Sequence, residues 1–376
     1  MAPRTIVSLR EYLRESGFAN IYRYIVSSRH YAVTPFAVNA ATRGAVLATD
    51  TYLEGELEGR RLLWTLFAHA TLPREALTAR ERDLAAELAE AGLLHTDGAG
   101  DHDVVAPGDW QLICVGDNTL FVDAAIAFPR RERMHEVYIG PDTLLLLHYL
   151  DAPRLPRGAR VLDLCTGSGV IGLDAARAAS RVVSTDIADK PLFIAPVNRD
   201  LNARGDTIEV RREAVADTLR ADETWDLVTC NPPFIATPPE LAAPIYARGP
   251  GRDGCDMMRD ILAALDRILA PGGACLMVAD ILGDDRHPCF LAELREAARS
   301  FAVEVYIDQK LPIAGHIDAM SHILARENPA LDPSAVAART REFLAGELAA
   351  RHVYLCVIRV RRGAPGLLVL DRYRAA

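Results

Sequence analysis

The chain has 376 residues, half of them hydrophobic and 25% charged, so it can bury a large core and is expected to form two domains. Its formal net charge of −9 weighs against nucleic-acid partners, because neutralising phosphates requires a concentrated basic face. Apolar runs fall short of a membrane span, and the seven scattered cysteines, without a C-x-x-C pair, favour a reducing, cytoplasmic compartment and no metal site.

Residues 1–109 are predicted to form a mainly helical domain. Within it, residues 59–70 are apolar on one face. Thr78 is typical of a helix N-cap, without a capping box to Arg82, and the helix it begins ends at Gly92, which suits the C′ position. Helices followed by a small hairpin near residue 100 predict a winged-helix-like module.

This module is expected to cover the substrate or to mediate dimerisation. The acidic face of its helix is poorly suited to a DNA major groove (Glu81, Asp83, Glu87, Glu90). Its apolar helix face must be buried against the core or a second subunit (Leu62, Leu63, Leu66, Phe67). We therefore expect a homodimer with the module in its interface.

Residues 110–137 are predicted to form a hairpin around Gly116 and a linker, and 138–376 a second domain in which strands alternate with helices. This alternation is typical of an α/β, Rossmann-like, doubly wound sheet with seven strands. The predicted strands are 160–164, 181–185, 207–212, 225–230, 273–279, 301–308 and 353–360. Ligands of this fold class lie outside the carboxyl ends of the strands.

The first of these strands runs into a glycine-rich loop, Asp163-Leu164-Cys165-Thr166-Gly167-Ser168-Gly169. Gly167 and Gly169 let the backbone approach a ligand closely, and a helix begins directly after them. The acidic residue at the end of the strand departs from the dinucleotide pattern G-x-G-x-x-G. Because a carboxylate would repel a pyrophosphate, Asp163 favours a cationic ligand, such as one with an α-amino group.

The second strand ends in Asp186, which is placed to receive a ribose diol at the neighbouring strand tip. The alternative is that Asp186 is a helix N-cap.

The fourth strand is followed by Asn231-Pro232-Pro233-Phe234. The prolines fix φ and remove two N–H donors, so the carbonyls beside them face outward in a set direction. The Asn231 amide adds a further acceptor, and Phe234 a flat apolar face. Two acceptors and a ring suit a planar –NH2 group, whose lone pair is then aimed at an electrophile. The alternative is a proline-rich turn without a function.

A long insertion, 310–350, separates the sixth and seventh predicted strands and contains a helix over 335–351. Long connections in compact domains are usually lids, interfaces or binding loops. His316 is a candidate base there, but a single histidine in a loop is more often a surface residue.

These motifs resemble the HemK-like, release-factor glutamine N5-methyltransferase group of the class I S-adenosylmethionine-dependent methyltransferases. The resemblance rests on the glycine-rich loop, the Asn-Pro-Pro-Phe tetrad, a G-x-D-G segment at 251–254 and the Pro141-Asp142-Thr143 segment. It implies S-adenosylmethionine as cofactor, held by the loop residues Asp163, Cys165, Thr166, Gly167, Ser168 and Gly169 and by Asp186 and Asn231. It also implies that Asn231, Pro232, Pro233 and Phe234 orient the methyl acceptor.

The resemblance leaves two matters open. The residue that reads the adenine is not assigned, because Ala214 stands near the family's usual acidic position, between Glu213 and Asp217. The acceptor is a protein glutamine amide, a nucleobase amine or a small biosynthetic amine or amide. A regulator that senses S-adenosylmethionine and binds DNA is the non-enzymatic alternative.

Overall fold

The computed structural model describes residues 2–27, 59–97, 103–124, 136–245 and 247–371. The chain divides into two compact units. One comprises Met1–Pro141, Gly167–Leu173 and Asp189–Asp206, and the other Asp142–Thr166, Asp174–Ala188 and Thr207–Ala376. Two short pieces of the predicted C-terminal domain therefore group with the N-terminal residues.

The helices and strands of the described residues are numbered in chain order. The helices are α1 (Pro3–Glu15), α2 (Phe18–Ser27), α3 (Leu62–Ala68), α4 (Ala79–Glu90), α5 (Pro141–Leu150), α6 (Val170–Ala175), α7 (Asp189–Leu201), α8 (Val215–Thr218), α9 (Asp256–Ile268), α10 (Leu291–Ala297), α11 (Ile313–Glu327) and α12 (Pro333–Arg341). The strands are β1 (Leu72–Pro73), β2 (Leu94–Asp97), β3 (Val104–Pro107), β4 (Trp110–Val115), β5 (Asn118–Asp123), β6 (Arg160–Leu164), β7 (Arg181–Asp186), β8 (Ile208–Arg212), β9 (Trp225–Cys230), β10 (Leu269–Gly283), β11 (Ala302–Pro312), β12 (His352–Arg361) and β13 (Gly366–Asp371).

The first unit contains two small antiparallel sheets, one in the order β1-β3-β2 and the other the predicted hairpin β4-β5. The turn at 98–102 and most of the linker, 125–135, lie outside the described residues. The resemblance to a winged helix stays a prediction.

The short helix α3 is buried along its whole length. Its Phe67 ring contacts the rings of Phe18 and Tyr22, with centroids 6.0 and 5.3 Å apart. The apolar face expected to require a second subunit is therefore covered within the first unit. The homodimer stays a prediction, but the apolar face of α3 is no longer evidence for it.

Glu81 connects three segments of the first unit. Thr78 is the N-cap of α4, as predicted, and Glu81 completes a capping box that the sequence reasoning missed, because N3 is Glu81 and the residue considered was Arg82. The Glu81 carboxylate is 1% exposed and accepts hydrogen bonds from the Tyr12 hydroxyl and the Leu62 N–H, both at 2.9 Å. Burial and the charge of Glu81 raise the pKa of Tyr12.

The second unit contains an eight-stranded sheet in the order β13-β11-β12-β10-β9-β6-β7-β8. All seven predicted strands are present. The run from β8 to β10 is parallel, whereas β12 is antiparallel to both of its neighbours. The edge strand β13 was not predicted. Since β11 extends to Pro312, the insertion begins three residues later than expected.

Helices cover both faces of this sheet. The core on one face contains Met258 and Ile261 of α9 and Leu294 of α10. On the opposite face, Arg359 of β12 donates a hydrogen bond to the Tyr149 carbonyl of α5 at 2.8 Å. This arrangement confirms the predicted α/β fold, with a doubly wound sheet. In the described part of the chain, no helix combines the length and apolar character needed to cross a membrane.

Replacement of Glu81 by glutamine should destabilise the first unit. The Glu81 carboxylate accepts hydrogen bonds on both oxygens, whereas a glutamine amide has one acceptor oxygen and an NH2 group that faces other donors. The buried N–H and O–H groups then lose partners, which lowers the free energy of unfolding by about 1–3 kcal/mol. Scanning calorimetry should show a lower transition temperature for Glu81→Gln. The control Glu90→Gln, exposed on the same helix, should match the wild type. Equal transitions in all three proteins would contradict the role given to Glu81.

Candidate active site

The glycine-rich loop is anchored by Asp163, the fourth residue of β6. Its carboxylate is 1% exposed. It accepts hydrogen bonds from the hydroxyl of Thr229 at 2.9 Å and from that of Thr166 at 2.6 Å. Asp163 thereby ties the start of the loop to β9. Its predicted contact with a cationic ligand stays a prediction.

The loop backbone adopts an alternating conformation. Cys165, Gly167 and Gly169 have φ of 57°, 53° and 81°, whereas Thr166 and Ser168 between them do not have positive φ. Alternation of this kind is typical of anion-binding loops, in which N–H groups turn toward one side. The Thr166 N–H does not contribute here, because it donates to the Thr185 carbonyl at 3.0 Å. Since an added Cβ at Gly167 meets no atom within 4 Å, conformation and not crowding calls for glycine there.

A buried asparagine of the first unit holds the later part of the loop. Asn198 of α7 is fully buried, and its Nδ2 donates to the Ser168 carbonyl at 2.9 Å. The same side chain bonds both backbone groups of Phe121 in β5, at 2.7 and 2.9 Å. The sequence reasoning missed Asn198. The available signal was a polar side chain on the apolar face of a helix.

Asp186 braces the turn that follows β7. Its Oδ1 accepts hydrogen bonds from the N–H groups of Ile187 at 2.8 Å and Ala188 at 3.0 Å. Helix α7 begins at Asp189, so Asp186 is not its N-cap. The N-cap role, which was the alternative interpretation of Asp186 in the sequence analysis, is therefore excluded. The predicted ribose contact stays a prediction.

The segment after β8 leaves the adenine contact open, as the sequence did. Ala214 is the N-cap of the short helix α8, and the Glu213 N–H donates to the Asp186 carbonyl at 3.0 Å. Asp217 pairs with Arg220 at 2.9 Å on the exposed surface.

Asn231 is held by the first turn of α5. Its Nδ2 donates to the Asp142 carboxylate at 2.7 Å and to the Thr143 hydroxyl at 3.2 Å. A carboxylate only accepts hydrogen bonds, so this contact fixes which way the amide faces and leaves Oδ1 as the acceptor for a ligand. Among the described residues, none donates a hydrogen bond to the Pro232 carbonyl. Two acceptors therefore remain at the end of β9.

Asp142 was part of a motif in the sequence but had no role there. Its side chain is 8% exposed. Burial raises the pKa of this carboxyl, and the hydrogen bond from Asn231 acts in the opposite direction. The two residues lie 89 positions apart, so their pairing is visible only in the fold.

Phe234 is 7% exposed and packs in the sheet core with Cys255 and Met258. Its predicted role in stacking on an acceptor stays a prediction. The G-x-D-G segment lies directly against its backbone, because a Cβ added at Gly254 would be 2.2 Å from the Phe234 carbonyl oxygen. Gly254 also has φ of 80°, so both the lack of space for a Cβ and the backbone conformation require glycine there.

An ion-pair network holds the G-x-D-G segment in place. Arg259 of α9 donates to both oxygens of Asp253, at 2.9 and 2.5 Å, and to Glu293 at 2.8 Å. Partial burial raises the pKa of Asp253, but the guanidinium of Arg259 lowers it by more, so the pKa is lowered overall. The bidentate contact fixes the orientation of the segment.

The insertion is fastened to the chain that follows the tetrad. Ala236 packs with Ile317 of α11, and Leu241 with Met320 and Leu324. Polar contacts add to this packing: Arg252 to Glu347 at 2.7 Å, Arg339 to Glu240, and Asn328 to the N–H and carbonyl of Ala242 at 3.0 and 2.9 Å. The insertion thus lies against residues 235–243 and Arg252.

The structure corrects two expectations about this insertion. The helix predicted over 335–351 is α12 followed by a π-helical turn, Glu342–Glu347, and α11 precedes it. His316 lies in α11 and not in a loop. Burial lowers its pKa to about 4, so its imidazole is neutral at pH 7.

Comparison with known proteins matches the methyltransferase small domain (MTS) over residues 138–282. The chain is 33% identical over 217 residues to the release factor glutamine methyltransferase of Mycolicibacterium smegmatis, covering 55% of this chain and 68% of the relative. It is 31% identical over 157 residues to the enzyme of that name from Clostridium acetobutylicum, covering 39% of this chain and 54% of the relative. It is also 32% identical over 127 residues to the ribosomal protein uL3 glutamine methyltransferase of Bordetella pertussis, covering 31% of this chain and 42% of the relative.

Replacement of Gly254 by alanine should disturb the tetrad. The new Cβ would require positive φ and a shift of the Phe234 carbonyl, which should destabilise the fold by more than about 1 kcal/mol. The matched control is Gly315→Ala in α11, where an added Cβ meets no atom within 4 Å and the helix should gain stability. Urea unfolding followed by circular dichroism measures both variants. A Gly254→Ala midpoint equal to that of the wild type would contradict the crowding described.

Proposed function

The chain belongs to the HemK-like family of class I S-adenosylmethionine-dependent methyltransferases, and from that premise we propose that it methylates the side-chain amide nitrogen of a protein glutamine. The geometry of Asn231 carries this proposal. With Nδ2 held by Asp142, the amide oxygen Oδ1 and the Pro232 carbonyl remain as acceptors, and two acceptors would match the two N–H groups of a primary amide.

The residues at the carboxyl edge fit the cofactor of this family. The backbone of the glycine-rich loop, with positive φ at Cys165, Gly167 and Gly169, suits the carboxylate of the methionine part. Asp163 anchors the loop, and Asp186 would receive the ribose hydroxyls. The bound cofactor supplies a methyl group on a sulfonium, which makes that carbon electrophilic.

The tetrad would hold the acceptor and prepare it for reaction. Oδ1 of Asn231 and the Pro232 carbonyl would accept hydrogen bonds from the two N–H groups, which would point the nitrogen lone pair toward the methyl carbon. Both oxygens also stabilise positive charge that grows on the nitrogen. Pro233 fixes the backbone direction, and Phe234 supports the motif from the core. Catalysis then rests mainly on alignment.

Two observations bear on the class of acceptor. The relatives named above are glutamine methyltransferases of a release factor and a ribosomal protein, which supports a protein substrate. The insertion fastened to residues 235–243 and Arg252 supports a second candidate, a small amine or amide, because additional chain beside the tetrad can narrow access.

An assay with three acceptors separates these possibilities. The protein is incubated with methyl-labelled S-adenosylmethionine and either the release factor of Mycolicibacterium smegmatis, a panel of small primary amines and amides, or duplex DNA. We expect label in the release factor, and tandem mass spectrometry should locate it on a glutamine. Label in the small-molecule panel alone would exclude the protein-glutamine proposal.

Removal of the Asp186 side chain should weaken the binding of S-adenosylmethionine. If the ribose hydroxyls lose a buried partner, Asp186→Ala should cost about 1–3 kcal/mol of binding free energy. Isothermal titration calorimetry measures this, with Asp222→Ala, at an exposed turn position, as the control. Affinity like that of the wild type in Asp186→Ala would remove Asp186 from the site.

Removal of the Asn231 side chain should affect turnover more than cofactor binding. Asn231→Ala removes a preorganised acceptor, so kcat should fall by about 10²-fold or more. The cofactor Kd should stay within a few-fold, as calorimetry on the same preparation will show. Thr143→Val removes only the longer of the two bonds to Nδ2 and should cause a smaller loss. Parallel losses in cofactor affinity and turnover would show that Asn231 is mainly a cofactor contact.

A further inference from the structure

A second carboxylate, Asp280, lies near the tetrad at the carboxyl end of β10. The parallel strands β9 and β10 place Met277 opposite Cys230. Side chains alternate along a strand, so Val278 and Asp280 share the face of Asn231, whereas Met277 and Ala279 point into the core. Asp280 is thus two residues beyond the position opposite Asn231, on the same side of the sheet.

The surroundings of Asp280 do not stabilise its charge. Among the described residues, none hydrogen-bonds or ion-pairs with its carboxylate. The titratable groups in its electrostatic environment are Asp142 of α5 and Cys356 of β12. Burial, with a contribution from the Asp142 charge, raises the pKa of Asp280 to about 6. A buried carboxylate without a partner destabilises the folded state when it is ionised. Such a group, close to the proposed acceptor site, is typical of a functional residue.

We propose, on the basis of the function proposed above, that Asp280 is a catalytic residue that takes the proton lost by the acceptor nitrogen. An amide nitrogen that gains a methyl group must lose one of its two protons, because the N-protonated amide is a very strong acid. Neither oxygen assigned to the acceptor can take it: Oδ1 of Asn231 and the Pro232 carbonyl are weak bases. Among the described carboxylates of this edge, Asp142 is bound to Asn231 and Asp163 to the hydroxyls of Thr166 and Thr229, which leaves Asp280.

The step balances without another reactant. The nitrogen lone pair forms the N–C bond to the methyl carbon, and the C–S bond breaks with its electron pair going to sulfur. One N–H proton leaves its hydrogen bond to a tetrad oxygen and passes to the Asp280 carboxylate, and the electron pair of that N–H bond stays on nitrogen. Because Asp280 is partly exposed, the proton can then leave to water.

The other candidate bases fit less well. The Asp142 carboxylate is occupied by the Asn231 amide. His316 of α11 has its pKa lowered to about 4 by burial, which makes its imidazole a weaker base than the Asp280 carboxylate.

The test is a pH profile of single-turnover methyl transfer to the Mycolicibacterium smegmatis release factor. Wild-type rates should fall as the pH drops through about 6, because protonated Asp280 cannot accept a proton. Asp280→Asn should lower the rate about 10²-fold and abolish this acidic limb, as removal of a general base does. Asp280→Glu should keep the limb at a reduced rate. Asp260→Asn, at an exposed position of α9, should behave like the wild type.

A stability measurement separates catalysis from folding. The folded protein binds the Asp280 proton more tightly than the unfolded chain, so Asp280 destabilises the fold as pH rises through about 6. Asp280→Asn should therefore have an equal or higher transition temperature at pH 7.5. Loss of activity together with a lower transition temperature would indicate a structural role and overturn the proposal.

The remaining outcomes are distinguishable. A wild-type protein that transfers no methyl group to the release factor defeats the proposed function, and the role of Asp280 fails with it. An active wild type combined with an unchanged rate and acidic limb in Asp280→Asn defeats only the role of Asp280.

Discussion

The hydrogen bond between Asn231 and Asp142 fixes which way the asparagine amide faces at the carboxyl edge of the sheet. An asparagine side chain can present either two donors or an acceptor, and nothing in the tetrad itself selects between them. The Asp142 carboxylate makes the selection, because it accepts hydrogen bonds and cannot donate them when ionised. The donors are thereby consumed inside the protein. In the proposed function the amide oxygen and the Pro232 carbonyl would face the ligand, and two acceptors would favour a primary amide or amine over a carboxylate or a phosphate.

The rest of the second unit keeps this arrangement rigid. The backbone of Phe234 is in close contact with Gly254, whose segment is fixed by the two hydrogen bonds from Arg259 to Asp253. Downstream of the tetrad, helix α11 and the residues after it pack on Ala236 and Leu241. A site that works mainly by alignment, as proposed here, would tolerate little displacement, so this packing would support catalysis even where no side chain reaches the acceptor.

The sequence predicted those features that depend on local patterns. Short segments rich in β-branched and other apolar residues, alternating with helical segments, located all seven predicted strands, and the glycine-rich loop and the tetrad were recognised from their residues alone. The pairing of Asn231 with Asp142 could not be predicted, because it joins residues far apart in the chain. The position of Asp280 likewise depends on the register of β10 against β9. The edge strand β13 is as long as β7 and β9 but lacks the alternation of a half-buried strand: Leu368, Val369 and Leu370 are adjacent and all exposed.

The position of β12 has a consequence for how the protein is made. This strand lies between β10 and β11 and pairs with both, but it follows them in the chain, after the insertion. During synthesis, β10 and β11 therefore leave the ribosome with unpaired edges that cannot pair with each other in the native sheet. Non-local pairings of this kind form slowly, and open strand edges associate readily with other chains. The second unit can complete its sheet only after β12 has been synthesised, so the nascent protein depends on whatever shields those two edges in the meantime.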